Sequence, residues 1–264
     1  MSAWGTRRQI SFVFIFVLLL VVVIVALIIA NRHVSTCSDN IQNQGELNVD
    51  CGGVCTLVCP SETNDLVVLW TRIFKVREGA YDVAAFIENP NPFGLVQVPY
   101  HIRIYDKENV PVRDIDGTTY VNPHERMIIF EPQVNVGFRE PTRAFLSFPD
   151  VFIWKRLKEA KNPTLTLTNK RIENEPILTL RATLTNDSLS PVEDIELDAL
   201  LYDASSNVIA VSRTYVDRLD NGSSKEIFFT WPTPPAKGVV SAEIFPRVDL
   251  VKTNVIMTET IKGP

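Results

Sequence analysis

The feature that most constrains this chain is an internal repeat that aligns without a gap. A shift of 97 positions carries Asn89 onto Asn186. The same shift carries Tyr105-Asp106 onto Tyr202-Asp203, and it superposes the alternating apolar residues Val83, Ala85 and Ile87 on Leu180, Ala182 and Leu184. Solenoid repeats have periods of ~20–50 residues, whereas this unit has the size of an ordinary small domain. The sequence therefore predicts two related domains in tandem.

Both halves consist of short apolar runs of β-strand character separated by turn residues. Alternation of apolar and polar residues is clear over 81–87 and 96–105 in the first half, and over 178–184 and 192–202 in the second. Clusters of Asn, Pro, Asp and Gly separate these runs, as at Asp114-Ile-Asp-Gly117. Short alternating strands at this spacing indicate antiparallel β-sandwiches. We therefore expect an all-β ectodomain.

Residues 10–30 form an apolar run without any charged residue. As a helix with ~1.5 Å rise per residue it would span roughly 30 Å, the thickness of a bilayer core. A cleaved signal peptide is the alternative, but its apolar region is usually only ~7–15 residues long. Arg7 and Arg8 precede the run and favour a cytoplasmic N-terminus. We expect an uncleaved single-pass signal-anchor, with everything after Ala30 outside the cell membrane.

The chain then divides into six segments. They are a cytoplasmic tail at 1–9, a transmembrane helix at 10–30, a Cys-rich juxtamembrane module at 31–64, a first sandwich at 65–151, a joint at 152–163 and a second sandwich at 164–264. The stretch 151–161 has helical character, and Asn162-Pro163 behind it would end a helix.

All four cysteines lie close together beyond the apolar run, at Cys37, Cys51, Cys55 and Cys59. An even, clustered set in an exported segment predicts two disulfides, with three pairings open. The segment resembles a short cysteine module of bacterial surface proteins, which carries the pattern D-C-G-G-x-C. Asp50-Cys51-Gly52-Gly53 matches that pattern, whereas the last cysteine spacing is longer by one residue.

The same module contains several side chains with oxygen ligands, namely Asp39, Asn43, Glu46 and Asp50. Oxygen ligands of this kind suit Ca²⁺, although the spacing is not that of an EF-hand. Asp and Asn also form turns by accepting hydrogen bonds from nearby backbone. The favoured interpretation is a disulfide-stapled spacer without a cofactor, and calcium binding is the alternative.

Two further stretches resemble known families. Ile87-Glu-Asn-Pro-Asn-Pro-Phe93 followed by an alternating strand to Tyr105-Asp106 resembles the late-embryogenesis-abundant type 2 domain, also called the water-stress domain. Thr185-Asn186, Leu200-Leu-Tyr-Asp203 and the turn Asp220-Asn-Gly222 resemble the related F-x-L-Y-D domain, with Ala199 in place of its Phe. The resemblance implies immunoglobulin- or fibronectin-like sandwiches without an active site. It also implies structural roles for the marked residues: Asn89, Asn186, Tyr105, Tyr202, Asp106 and Asp203.

The sequence contains little that indicates catalysis, metal binding or nucleic-acid binding. No nucleophile elbow or phosphate-binding glycine loop occurs, and the three histidines lack metal-ligand spacing. Removing Arg7 and Arg8 from the 26 basic residues leaves 24 against 31 acidic ones, a net charge of −7 beyond the apolar run, which argues against nucleic-acid binding. The acidic run Glu193, Asp194, Glu196 and Asp198 is typical of a solvated face. Two Asn-x-Ser sequons occur, at Asn186 and Asn221.

These observations favour a non-enzymatic membrane-anchored envelope or surface protein. Its tandem sandwiches would act as an interaction or scaffold module for other envelope or surface proteins. One alternative is an accessory subunit of an envelope assembly. Another is lipid or hydrophobic-ligand binding in a groove of the first sandwich, lined by Trp70, Phe74, Phe138, Phe145, Phe148, Phe152 and Trp154.

Overall fold

The computed structural model describes residues 3–30, 37–43, 45–157, 162–250 and 252. Within the N-terminal helix it describes the side chains of residues 11–27, and at Val96 it describes the backbone alone.

Helix α1 comprises Ala3–Ala30. Its described side chains, at 11–27, are exposed, and most of them are large and apolar. Within the described residues no helix combines the length and the apolar character needed to cross a membrane. The ends of the predicted span 10–30 lie outside the described side chains.

Most of the remaining described chain is β-structure, as predicted. Twelve strands follow α1 in the order β1 (Val67–Arg77), β2 (Ala80–Glu88), β3 (Leu95–Asp106), β4 (Pro111–Val121), β5 (Arg126–Asn135), β6 (Pro141–Ser147), β7 (Leu165–Glu173), β8 (Leu178–Asn186), β9 (Val192–Tyr202), β10 (Val208–Leu219), β11 (Ser224–Trp231) and β12 (Ser241–Arg247). A short 3-10 helix, Pro60–Glu62, precedes β1.

The strands form four three-stranded antiparallel sheets with a repeated order. The first half contains β1-β2-β5 and β4-β3-β6, and the second contains β7-β8-β11 and β10-β9-β12. β3 and β9 begin 97 residues apart, at Leu95 and Val192, and so do β4 and β10, at Pro111 and Val208. The internal repeat of the sequence thus has the same spacing as the repeat of strand order.

Each half is a sandwich because alternate residues of its strands point between its two sheets. In the first sandwich Val83, Ile87, Ile102 and Ile104 have no exposed surface. In the second sandwich Leu180, Leu184, Ile195 and Leu197 are equally buried. Burying such side chains contributes ~1.5–3 kcal/mol each and is the main force holding each pair of sheets together.

A third apolar cluster joins the two sandwiches side by side. Ala84 and Ile128, from the outward face of sheet β1-β2-β5, pack with Leu200 and Val211 from sheet β10-β9-β12. The four sheets therefore stack in one series, and the two inner sheets are covered on both faces. This explains why β9 has an unbroken buried stretch from Leu197 to Leu201 instead of simple alternation.

Two sequence expectations about local structure are wrong. The predicted turn at Asp114–Gly117 lies within β4, where Gly117 pairs with Tyr100 of β3. A Cβ on Gly117 would lie 2.3 Å from the Tyr100 ring, so this glycine makes room for an aromatic ring on a strand. The joint is extended over 151–157 instead of helical, because Lys155 bridges to Leu57 and Gly94. Its remaining residues, 158–161, lie outside the described residues.

The Cys-rich module packs against one end of the first sandwich, which we call the module end. The Val58 amide donates to Trp154 O at 3.1 Å, and Arg156 pairs with Glu62 at 3.1 Å. The chain returns to this end after β12, where the Leu250 amide donates to Asn122 Oδ1 at 3.1 Å. The opposite end carries hairpin loops, including β3–β4 and β5–β6.

Candidate functional site

The four cysteines form two disulfides, as predicted. The pairs are Cys37–Cys55 and Cys51–Cys59, so the two segments that the disulfides close overlap in sequence. Cys55 and Cys59 are buried, whereas apolar residues around them, such as Leu47 and Val54, are exposed. The disulfides therefore replace the apolar core that this module lacks.

The calcium candidates make hydrogen bonds to the module's own backbone and side chains. Asp50 accepts from the Asp39 and Asn40 amides at 2.8 and 2.9 Å. Asp39 accepts from the Ile41 amide and from Asn43 Nδ2, both at 2.9 Å. Glu46 accepts from the Asp50 amide at 3.1 Å. These are the turn-forming bonds expected of a stapled spacer.

Glu46 also lies close to Cys37 and Cys55, and the three present ligand atoms within 4.8 Å of one another. The two sulfurs are joined in a disulfide, so neither is a thiolate. Because thiolates are the form in which cysteine binds zinc, this group does not form a zinc site while the disulfide is intact.

Asn89 and Asn186 bridge loops in the same way in both sandwiches. The Asn89 side-chain amide donates to the carbonyls of Phe93 and Asn122, each at 2.8 Å. The Asn186 amide donates to those of Ser190 and Leu219, each at 2.9 Å. Every one of these positions is related to its counterpart by the shift of 97. Both side chains are buried, and neither residue has a positive φ.

Asp106 and Asp203 fix the hairpin loops that follow β3 and β9. Asp106 Oδ1 accepts from the amides of Glu108 and Val110 at 3.0 and 2.9 Å. Asp203 Oδ1 accepts from those of Ser205 and Asn207, both at 2.9 Å. A cation binds each Oδ2, with Arg139 at 2.5 Å from Asp106 and Lys237 at 3.1 Å from Asp203.

These hydrogen bonds lower the pKa of both carboxyl groups. The Asn207 amide, the Lys237 ammonium and the Ser205 amide lower the pKa of Asp203 to about 2, against the smaller opposing effect of burial. The Val110 amide is the main cause of the lowered pKa of Asp106. Hydrogen bonds and cations favour the charged form of a carboxyl group.

Tyr105 and Tyr202 precede these aspartates but lie in different surroundings. Tyr105 packs edge-on against Phe145, with ring centroids 5.8 Å apart. Tyr202 packs against the cluster between the sandwiches, and its hydroxyl donates to Glu243 at 2.7 Å. The two residues occupy equivalent positions, yet only the second lies next to the other sandwich.

A buried ion-pair network that the sequence pattern did not predict lies between the sandwiches. Asp198 of β9 binds Arg213 of β10 in a bidentate pair, with Nε–Oδ1 2.6 Å and Nη2–Oδ2 2.9 Å. Glu196 contacts Arg213 at 3.2 Å and Arg247 at 2.9 Å. Arg247 also binds Glu125 of the first sandwich at 2.9 Å. The acidic run is therefore divided, since Glu193 and Asp194 are exposed whereas Glu196 and Asp198 are enclosed.

Backbone contacts add to this network. Arg213 Nη2 donates to Ile128 O at 2.9 Å, and Arg247 Nη2 donates to Tyr120 O at 2.9 Å. The Arg247 guanidinium lies 4.2 Å from the centre of the Tyr120 ring. Two arginines of the second sandwich thus bind backbone of the first and fix the two relative to each other.

Burial shifts the pKa values within this network. It raises the pKa of Asp198 to about 6, against the opposing hydrogen bonds and charge of Arg213. Burial would lower the pKa of Arg213, but the hydrogen bond and charge of Asp198 outweigh it and raise the pKa above its usual range. The arginine therefore stays charged.

Two adjoining clefts lie along one side of the interface. The larger, about 330 Å³, is bordered by β1, β5, β10 and the end of β11, and Phe74, Asp82 and Trp231 line it. The smaller, about 230 Å³, is bordered by β4, β5 and β10, and Tyr100, Tyr120 and Glu196 line it. Both are lined by Phe130, Arg213 and Tyr215. We refer to the two together as the edge cleft.

The aromatic residues predicted to line a lipid groove are dispersed. Trp70 and Phe74 pack between the sandwiches, whereas Phe148, Phe152 and Trp154 stack at the joint. Phe145 lies on the outer face of β6, and Phe138 is fully exposed in the β5–β6 loop. No protein-family model and no curated protein matches this chain.

Proposed function

We propose that this protein is a non-enzymatic scaffold whose tandem sandwiches present a stiff binding surface to other envelope or surface proteins. The observation that carries the proposal is the interface between the sandwiches. It combines a continuous apolar cluster with the paired charges of Asp198, Arg213, Glu196, Arg247 and Glu125. A buried interface of this kind resists bending between the two sandwiches. A docking surface must keep its shape, so it requires such resistance.

The positions of the polar residues also support a scaffold. Asn89 and Asn186 hold loops, Asp106 and Asp203 hold hairpins, and the buried carboxylates neutralise arginines. Each of these groups is committed to a structural bond. Residues 97 positions apart make equivalent hydrogen bonds in the two sandwiches. This equivalence also supports the proposed kinship with late-embryogenesis-abundant type 2 and F-x-L-Y-D domains and an immunoglobulin-like ancestry.

The proposed anchor is the apolar run at 10–30. The exposed apolar side chains of α1 support it, because Phe12, Phe14 and Phe16 are each about two thirds or more exposed and would be covered by lipid. The Cys-rich module would then act as a disulfide-stapled spacer between bilayer and sandwiches. An accessory subunit of an envelope assembly would use the same anchor and surface.

Lipid binding is the second candidate, and the edge cleft favours it. Phe74, Phe130 and Trp231 give that cleft an apolar wall. A lipid site there would lie between the sandwiches and not within the first one.

Photo-crosslinking in cells tests the scaffold. The photoreactive residue benzoylphenylalanine would replace Phe138, Leu189, Tyr215 or Phe228 one at a time, since all four side chains are exposed. Crosslinks from one face to the same one or two envelope proteins would support the proposal, and crosslinks to lipid alone would contradict it.

The anchor is tested by carbonate extraction. The full chain should stay with the membranes, and a chain lacking residues 1–30 should be released.

A further inference from the structure

The edge cleft combines aromatic rings, carboxylates and a buried tyrosine hydroxyl. We propose that it binds an extended segment of a partner protein through a lysine or arginine side chain. This inference rests on the proposed scaffold function and assigns its working face.

The cleft is bordered by edge strands. β1, β5, β10 and the end of β11 border its larger part, β4, β5 and β10 border its smaller part, and all five are outer strands of their sheets. Edges of sheets offer unpaired backbone groups to an added strand. Several carbonyls here are already used, since Ile128 O accepts from Arg213, Val211 O from Trp231 Nε1, and Tyr120 O from Arg247.

Strand β5 is further protected against an added strand. Pro132 lacks an amide proton, and Gln133 has a positive φ of 51°. The Gln133 amide donates to Asp82 at 2.8 Å within its own sheet. A docked segment would therefore be held mainly by its side chains.

The charge of the cleft selects a basic segment. The charged residues that line it are Lys75, Arg213, Asp82 and Glu196, and Glu131 accepts a hydrogen bond from the hydroxyl of the lining residue Tyr100. Carboxylates outnumber cations, and the chain beyond the apolar run is acidic as a whole. A lysine or arginine would reduce this imbalance.

The rings and hydroxyls favour the same ligand. Tyr215 lines both parts of the cleft and is 61% exposed, so its ring face is free to receive a cation. The Tyr120 hydroxyl is buried and has no hydrogen-bond partner among the described residues. The Tyr100 hydroxyl beside it donates to Glu131 at 2.5 Å. A basic head group could donate to Tyr120 and lie near Glu131 and Glu196.

The test measures binding of a fluorescein-labelled peptide of alternating lysine and valine to the full chain in detergent micelles. Glutamine–valine and glutamate–valine peptides are the controls for charge. We expect the lysine peptide to bind most tightly, with an advantage that shrinks as salt is added. Equal affinity for the lysine and glutamine peptides would overturn the proposal.

Two matched variants locate the site. Tyr215→Ala should weaken binding of the lysine peptide about two- to fivefold, the usual worth of an exposed cation–ring contact. Phe228→Ala removes an aromatic ring that is 56% exposed on β11 and lines neither part of the cleft, so it should leave binding unchanged. Equal losses in both variants would refute the cleft as the site. Glu131→Gln should weaken binding of the lysine peptide and not of the glutamine peptide.

Two other outcomes separate this inference from the scaffold function. If a fluorescent fatty acid binds and Tyr215→Ala abolishes its binding, while the lysine peptide does not bind, the cleft takes lipid and the proposal fails. If crosslinks in cells arise only from Phe138 or Leu189 and the lysine peptide does not bind, the scaffold stands but its working face lies elsewhere.

Discussion

Asp198 and Arg213 face each other directly across β9 and β10 and join in a bidentate pair where the two sandwiches meet. Asp198 has no exposed surface, and Arg213 also reaches the backbone of the other sandwich. Removing one partner of a buried pair leaves an uncompensated charge, whereas replacing both by apolar residues is often neutral.

We therefore expect Arg213→Ala to lower the free energy of unfolding by about 3–5 kcal/mol. The double variant Asp198→Leu, Arg213→Met should recover most of that loss. Chemical denaturation of the two variants measures both values. The exposed pair Arg218–Glu193 is the control, and Arg218→Ala should cost less than about 1 kcal/mol. An equal loss in both single variants would mean that the network does not hold the interface.

Replacing Asn186 tests the bridging role of the repeated asparagines. Asn186→Ala leaves the carbonyls of Ser190 and Leu219 and the Ser188 amide without their partner. We expect a loss of about 2–4 kcal/mol in the free energy of unfolding, with a similar loss for Asn89→Ala. Asn135→Ala removes one exposed bond to the Gly137 amide and should cost well under half as much. Comparable losses at all three positions would contradict the bridging role.

The lowered pKa of Asp203 predicts a specific acid sensitivity. Its pKa falls from 3.8 to about 2 on folding, so the stabilisation is complete above about pH 4 and is lost as the pH falls towards 2. Asp203→Asn keeps an acceptor for the amides but cannot titrate. We expect the melting temperature of this variant to fall less steeply between pH 4 and 2 than that of the parent. Parallel curves for the two proteins would refute the assignment, and the exposed Asp217→Asn serves as the control.

Reduction should unfold the Cys-rich module and leave the sandwiches folded. The two disulfides close loops with sequence separations of 18 and 8 residues, and little apolar surface is buried around them. A loop of about 15 residues contributes ~3 kcal/mol through the entropy of the unfolded chain. Hydrogen exchange after reduction should increase over residues 37–59 and stay slow in β2, β3, β8 and β9. Faster exchange in the strands would show that the sandwiches depend on the module.

The two Asn-x-Ser sequons should behave differently in a host that glycosylates secreted proteins. Asn221 is exposed in the β10–β11 turn, whereas Asn186 is buried and donates both amide protons. We expect the folded, secreted product to carry a glycan at Asn221 alone. Mass spectrometry of the parent and of Asn221→Gln checks this, and a folded product with a glycan at Asn186 would contradict the structure.

Alternation of apolar residues was enough to predict the central strand of each sheet. β2, β3, β8 and β9 follow this pattern, and the repeat between halves could be read from them. β4, β6 and β12 were missed for a physical reason, since they are edge strands with few buried residues. Gly117 led to the wrong prediction of a turn within β4. This glycine makes room for the Tyr100 ring of the neighbouring strand, which the sequence alone does not show.

Side-by-side packing of the sandwiches could not be predicted from one sequence. Glu196 and Asp198 alternate with core residues and therefore point away from the core of their own sandwich. That pattern is typical of a solvated face, and only the other sandwich covers it. The disulfide pairing was likewise open, because spacing alone does not distinguish the three possibilities.

The two stacked sandwiches have distinct ends. The chain enters from the Cys-rich module and passes Asn122 again after β12, while the far end holds turns such as the one bearing Phe138. A reporter attached behind residue 252 would consequently sit beside the Cys-rich module. A reporter inserted at the β5–β6 turn would lie at the opposite end of the first sandwich. The attachment point therefore decides which neighbouring proteins a fusion protein can reach.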